Sequence, residues 1–137
     1  MTSVSLFGRP WRASDASGHP EIDREHRELL DAMGEVEKAI HARTPVAAVY
    51  ERLADVVRAC TEHFANEEVI LDKIDYPHAP HHRREHAELA AKMQKLLRQH
   101  ASGDLATMEM LTALFYEPLV LHMVRDDRAY YPYLQGA

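Results

Sequence analysis

The sequence predicts an all-α fold, an up-down-up-down antiparallel four-helix bundle entered by an extended N-terminal arm. Three observations carry this expectation. Only 5 of the 137 residues are glycine, and the long segments are rich in Ala, Leu, Glu, Lys and Arg, which favour helix. Four stretches place apolar residues three and four apart, the spacing of one helical face. The connectors between them are short, which forces neighbouring helices antiparallel. No stretch alternates with the period of a strand, and no repeat or low-complexity tract is present.

Residues 1–18 read as the arm, with Trp11 as its anchor and Ser17-Gly18 as its end; residues 19–137 read as a single bundle domain. The first helix should start near Pro20, since proline suits a first helical position. Its stripe is Ile22, His26, Leu29, Leu30, Met33, Val36 and Ile40. Thr44-Pro45 resembles a cap followed by a first-turn proline. The second stripe then runs Val49, Leu53, Val56, Cys60, His63, Glu67 and Ile70. Asp75-Tyr76-Pro77 should stop that helix, because a residue before proline avoids the helical region. A third helix follows Pro80 with His82, His86, Leu89, Met93 and Leu96 inward. Ser102-Gly103-Asp104 should end it and cap a fourth, whose stripe is Met108, Leu111, Phe115, Leu119, His122 and Tyr130, with Pro132 closing it.

Composition excludes several classes. A chain of 137 residues can bury one sizeable core without staples. Its single cysteine, Cys60, allows no intramolecular disulfide and fits a reducing cytoplasm. The start MTSVSLFGRPW has no basic region followed by an apolar one, so no signal peptide is expected. No apolar run approaches the roughly 20 residues of a membrane span. A net charge of −6 argues against nucleic acid as a partner.

Ten histidines are the anomaly, and five of them mark the stripes. His26, His63, His82, His86 and His122 interrupt faces that should be buried, together with Glu67 and a fourth-helix aspartate. Buried imidazoles and carboxylates are costly unless something binds them. His63–Glu67 and His82–His86 are each four apart, one turn along a single face. His82 rather than His81 has that spacing to His86. In the fourth helix the spacing leaves a choice. Asp126, four from His122, has the better single-face geometry, whereas Asp127 lies about 140° around an α-helix from it and could bridge from the other side.

Imidazole and carboxylate without thiolate suit iron, manganese, zinc or copper, and disfavour magnesium and calcium. Seven ligands exceed what one ion accepts, so two ions are implied, with the carboxylates as natural bridges. Di-iron sites built from facing helices are a known bundle pattern. The remaining histidines, His19, His41, His78, His81 and His100, fall near helix ends or loops. Cys60 reads as a small buried hydrophobe, and Tyr130 as a packing residue or a hydrogen-bond donor near the centre.

The stretches IDREHRELL, HFANEE, YPHAPHHRREH and HMVRDDRAY resemble the hemerythrin family, specifically its stand-alone bacterial members, over nearly the whole chain including the Trp11 arm. The resemblance implies that His82, His86 and His122 bind one iron and His26 and His63 the other. It implies bridging by Glu67 and Asp127 with an oxo or hydroxo group, and so favours Asp127 over Asp126. One iron is then a ligand short, which is where dioxygen would bind and draw electrons from the ferrous pair. An apolar wall of Leu29, Phe64, Leu119 and Met123 would line that oxygen pocket. One departure is Pro118, where related sequences usually carry tryptophan; a helix-interior proline bends the axis.

The implied function is reversible dioxygen binding for storage, delivery or sensing, with no substrate turned over. The alternatives are a di-iron oxidase or peroxide- or nitric-oxide-handling enzyme, and an iron- or redox-responsive interaction domain. Enzymatic work usually wants a nearby acid or base, and no separate pair stands out.

Overall fold

The computed structural model describes residues 15–101 and 117–134. It is a four-helix bundle: α1 (Pro20–His41), α2 (Val46–Lys73), α3 (Ala79–Ala101) and a fourth helical segment described from Glu117 to Leu134. No strand occurs among the described residues. Trp11, the Ser102-Gly103-Asp104 connector and the stripe positions Met108, Leu111 and Phe115 lie outside the described residues. No helix among those described is long and apolar enough to cross a membrane.

Helix α1 opens with Pro20 at its first position, and the ring of His19 accepts the Ile22 N–H. Gly18 has φ +89°, a left-handed conformation that glycine adopts without a Cβ penalty. The turn is tied down by Asp23, which accepts from both the N–H and the hydroxyl of Ser17 at 2.8 and 2.9 Å.

Both short connectors are built the same way. After α1, Thr44 N–H bonds the Ala39 carbonyl and Arg43 N–H that of Ile40. After α2, Tyr76 N–H bonds Leu71 and Asp75 N–H bonds Asp72. Each is a Schellman closure, in which the residue past the cap is left-handed. Here those residues are Arg43 (φ 55°) and Asp75 (φ 54°) rather than glycine.

Three boundaries differ from the sequence expectation. Thr44 is consumed by the closure of α1, so Pro45 occupies the N-cap of α2, and no side chain caps that helix. Helix α3 begins at Ala79, with Pro80 inside its first turn, where a missing N–H costs nothing. Pro132 does not close the fourth segment, which stays helical to Leu134. The hydrogen-bonding pattern changes at the 3-10 turn Asp127–Tyr130 just before it, so no long α-helical ladder is interrupted.

The core has two apolar clusters with a polar layer between them. One holds Leu29, Met33 and Val36 of α1, Leu53, Val56, Val57, Cys60 and Phe64 of α2, Met93 and Leu96 of α3, and Leu119 and Met123. The other holds Ile22, Leu71, Tyr76, Ala79 and Tyr130. On every helix the candidate ligands fall between members of the two clusters. Ile70, expected in the stripe, is only partly buried; Leu71 takes the core position.

The two left-handed closures generate a stability prediction. A left-handed non-glycine residue costs about 1–2 kcal/mol, and glycine's extra chain entropy takes back roughly 0.5–1. Both positions are exposed. Arg43→Gly should therefore stabilise by about 0.5–1 kcal/mol, a rise in Tm of roughly 2–4 °C. Asp75→Gly should gain less, because aspartate tolerates this conformation. Thermal denaturation of the two variants checks the order, and a loss of stability in Arg43→Gly would refute it.

Candidate metal centre

All seven side chains singled out in the sequence meet in the polar layer. His26, His63, Glu67, His82, His86, His122 and Asp127 are each at most 3% exposed. Their donor atoms form two groups, one of Glu67, His82, His86, His122 and Asp127, the other of His26, His63, Glu67 and Asp127. The two carboxylates belong to both.

The carboxylates are turned so that each gives one oxygen to each group. Glu67 Oε1 lies 2.7 Å from His82 Nε2 and 3.0 Å from His86 Nε2, while its Oε2 lies 3.1 Å from His63 Nε2. Asp127 Oδ1 lies 2.9 Å from His82 Nε2 and 3.1 Å from His122 Nε2, while its Oδ2 lies 3.2 Å from His26 Nε2. Donors about 2.1 Å from a shared ion and at right angles around it stand about 3.0 Å apart, so these separations suit the edges of coordination polyhedra. Several contacts are close without being hydrogen bonds. Nε2 of His63, His86 and His122 and both oxygens of Asp127 are buried with no hydrogen-bond partner. Native proteins rarely leave such atoms unmatched, and a cation between them would satisfy the whole set. The donor set fits two transition-metal ions.

The outer nitrogens are also held. His63 Nδ1 is 2.7 Å from Glu25 Oε1, and Asn66 donates to the other Glu25 oxygen at 2.9 Å. His86 Nδ1 is 2.8 Å from Glu68 Oε2, and His122 Nδ1 is 3.3 Å from Asp126 Oδ2. A carboxylate on the far nitrogen fixes the tautomer and orientation of a ligating imidazole. Glu25, Glu68 and Asp126 were not anticipated in this role. Their adjacency to His26, Glu67 and Asp127 is a faint signal, because it takes the packing of α1 on α2, and of α3 on α2, to bring Glu25 to His63 and Glu68 to His86. The phenol of Tyr130 donates to Glu67 Oε2 at 3.0 Å, so it both packs and holds a carboxylate.

The backbone explains the five-residue spacing of the fourth segment. His122–Asp126 is a π turn, closed by the Asp127 N–H on the His122 carbonyl. An i→i+5 turn carries one residue more than an α turn. It therefore brings Asp127, not Asp126, onto the face of His122, and leaves Asp126 behind the ring. Pro118 lies in the α-helical turn Glu117–Leu121, so the irregular backbone falls at His122 and not at the proline.

Of the expected apolar wall, Phe64 stacks on His86 with centroids 4.0 Å apart and planes 9° apart. Leu29, Leu119 and Met123 are buried in the larger apolar cluster. Met123 also lines a cleft that reaches His26. The other described histidines stand apart from the centre: His81 is exposed beside Glu85 and His19 caps α1. Burial in the apolar cluster pushes the Cys60 thiol up to about 12, consistent with an inert packing residue.

Charge follows the geometry. Burial pulls the His63 imidazole down, but the carboxylates of Glu25 and Glu67 outweigh it and hold it at about 10. Burial opposes the His82 cation too, and Asp127 and Glu67 hold it at about 10. Burial raises Glu67, yet His26, His63, His82 and His86 bring it well below the usual carboxylate range. Asp127 is likewise lowered: burial and Glu67 act against its anion, and His122 and His26 prevail.

Known proteins resemble this chain throughout. A family model described as the hemerythrin HHE cation binding domain matches residues 17–134. A myohemerythrin of Riftia pachyptila is 31% identical over 86 residues, covering 63% of this chain and 66% of its own length. A bacteriohemerythrin of Stenotrophomonas maltophilia is 28% identical over 120 residues, 88% of this chain and 77% of its own. A bacteriohemerythrin of Campylobacter jejuni is 20% identical over 106 residues, 77% and 80% of the two chains. No solved structure gives a significant match.

Two predictions follow the geometry. A metal takes neutral imidazole, whereas His63 and His82, at about 10, are protonated at neutral pH in the metal-free protein. Loading at neutral pH should release at least two protons, one from each. Affinity should climb with pH and level off near 10. Calorimetry in buffers of different ionisation enthalpy reads this release, and pH-independent affinity would sink the assignment. Separately, Asp127→Asn should abolish binding of at least one ion by elemental analysis. Asp126→Asn should keep both ions and weaken affinity by about 10–100-fold; the reverse order would place the ligand at Asp126.

Proposed function

The chain belongs to the hemerythrin family, and on that premise we propose that its buried centre holds two iron ions and binds dioxygen reversibly. The single observation that carries this reading is the unequal sharing of donors. Three histidines and two carboxylates converge on one side, and two histidines with the same two carboxylates on the other. With an oxo or hydroxo group supplied to both ions alike, the ion on the two-histidine side would be one protein donor short. Two ferrous ions would supply the electrons that reversible dioxygen binding draws on.

The chain's own residues prepare and protect that position. His82, His86 and His122 would hold one ion and His26 and His63 the other, with Glu67 and Asp127 across both. Glu25, Glu68 and Asp126 keep the imidazoles turned so that Nε2 faces inward. The phenol of Tyr130 keeps Glu67 from rotating away. Phe64 on one side, and Leu29, Leu119 and Met123 in the apolar cluster beneath, would keep water from the ligand. An excluded solvent slows loss of an oxidised ligand, because charge separation is costly in a dry core.

This is carriage or sensing rather than turnover. Oxidase chemistry wants more than one exchangeable position and a nearby acid or base, and the donor count leaves one. A cytoplasmic setting is inferred from the lone buried cysteine, and the charge of −6 sets nucleic acid aside as a partner.

Anaerobically reduced, iron-loaded protein should gain a visible absorption band on exposure to oxygen and lose it on purging with argon, through repeated cycles. Conversion to the diferric state in a single step, with no reversible band, would replace carriage by an oxidase reading. His63→Ala should lose one iron of two by elemental analysis while the band disappears.

A further inference from the structure

We infer that small ligands reach the centre through a cleft between α1 and the fourth helical segment, and that an Asp15–Arg128 latch controls their passage. This rests on the proposal that the centre binds a small exogenous molecule, and it adds the route and the residues that set its rate.

The cleft is lined by His26, Leu30, Val120, Met123 and Val124, with Asp15, Arg128 and Tyr131 at its margin. It has room for about one water molecule, so even a small ligand passes only as its margin moves. Its inner end is the side chain of His26, a member of the donor group that is one histidine short. The space and the open position therefore lie on the same side of the centre. On the other side, Phe64 covers His86 face to face, and His122 is backed by Asp126.

The margin is built to close. Arg128 donates to Asp15 Oδ1 at 3.4 Å, and the Tyr131 phenol donates to the Asp15 carbonyl at 3.3 Å. Asp15 is buried, whereas the Arg128 side chain is 45% exposed. Two residues on, Ser17 is fastened to Asp23 of α1 by two hydrogen bonds. The segment 15–18 thus spans from α1 to the fourth segment across the mouth of the cleft. The bonds of Ser17 to Asp23 are short, whereas those of Asp15 to Arg128 and Tyr131 are long. Longer hydrogen bonds are the weaker ones, so the span gives way first at the Asp15–Arg128 contact. A gate of this kind sets rates of entry and exit and leaves the ligand set untouched.

The test uses three variants and two readouts. In oxidised, iron-loaded protein, stopped-flow azide binding reads entry. Arg128→Ala should speed it by about tenfold and Arg128→Lys by less, while Val124→Phe, which fills the cleft, should slow it by about tenfold. Iron content should be unchanged in all three. In protein loaded with zinc in place of iron, dissolved paramagnetic dioxygen should broaden the methyl resonances of Met123 and Leu30 in the parent and less in Val124→Phe. The broadening reads the cleft with a metal that gives dioxygen no electrons, so failure of oxygen carriage and failure of the route are distinguishable. Azide rates within about twofold of the parent for both Arg128→Ala and Val124→Phe, or equal broadening in the parent and Val124→Phe, would overturn the route. A slowed Val124→Phe beside an unchanged Arg128→Ala would overturn the latch.

Discussion

Everything in this bundle is arranged around two buried carboxylates that each face two ways. Glu67 and Asp127 are fully buried, and each has one oxygen toward one set of imidazoles and the other toward the second. Burying an ion costs several kcal/mol unless its partners are in place. Satisfying four oxygens at once needs side chains from all four helices, so the carboxylates fix how far each helix may slide or rotate. The two apolar clusters sit on either side of this layer and supply its dry surroundings. They do not by themselves set the register, since Leu, Val and Met cores tolerate repacking.

The fourth segment shows what that requirement does to a backbone. An unbroken α-helix would present Asp126 beside His122 and leave Asp127 about 140° away. The π turn at His122–Asp126 inserts the extra residue that turns Asp127 inward, and the 3-10 turn Asp127–Tyr130 then tightens the helix again. That second adjustment aims the Tyr130 phenol at Glu67. Two departures from α geometry, next to each other, so serve both carboxylates. Such turns are poorer in hydrogen-bond geometry and short for that reason.

Much of this was legible in the sequence. The apolar stripes gave four helices, and Pro20 and the Asp75-Tyr76-Pro77 stop lie where the structure puts a start and an end. His26, His63, Glu67, His82, His86 and His122 were readable because each breaks an apolar run at helical spacing. Asp127 was not readable that way, because α-helical periodicity assumes a constant turn and the segment changes its turn there. Glu25 and Glu68 escaped notice for another reason: each reaches a histidine on a neighbouring helix, and periodicity describes one helix at a time. Thr44 looked like a cap because threonine is a good one, but its N–H is spent on closing α1. Local signals predicted what local bonding decides, and contacts between helices decided the rest.

The centre is unequal in stiffness as well as in donors. On the three-histidine side, Phe64 stacks on the His86 ring, Glu68 backs that same ring and Asp126 backs His122, so these two imidazoles have little freedom. Around His26 the wall is a cleft edged by aliphatic side chains and a long ion pair. A site that must both hold metal and exchange a ligand needs these two qualities in different places. On the proposed function, rigid donors would keep the ions from leaving with the ligand, and a loosely closed side would let the ligand go without disturbing them. On the proposed reading, reversibility is then a property of the packing as much as of the metal. The same seven donors enclosed evenly on all sides would hold two ions just as well and admit nothing to them.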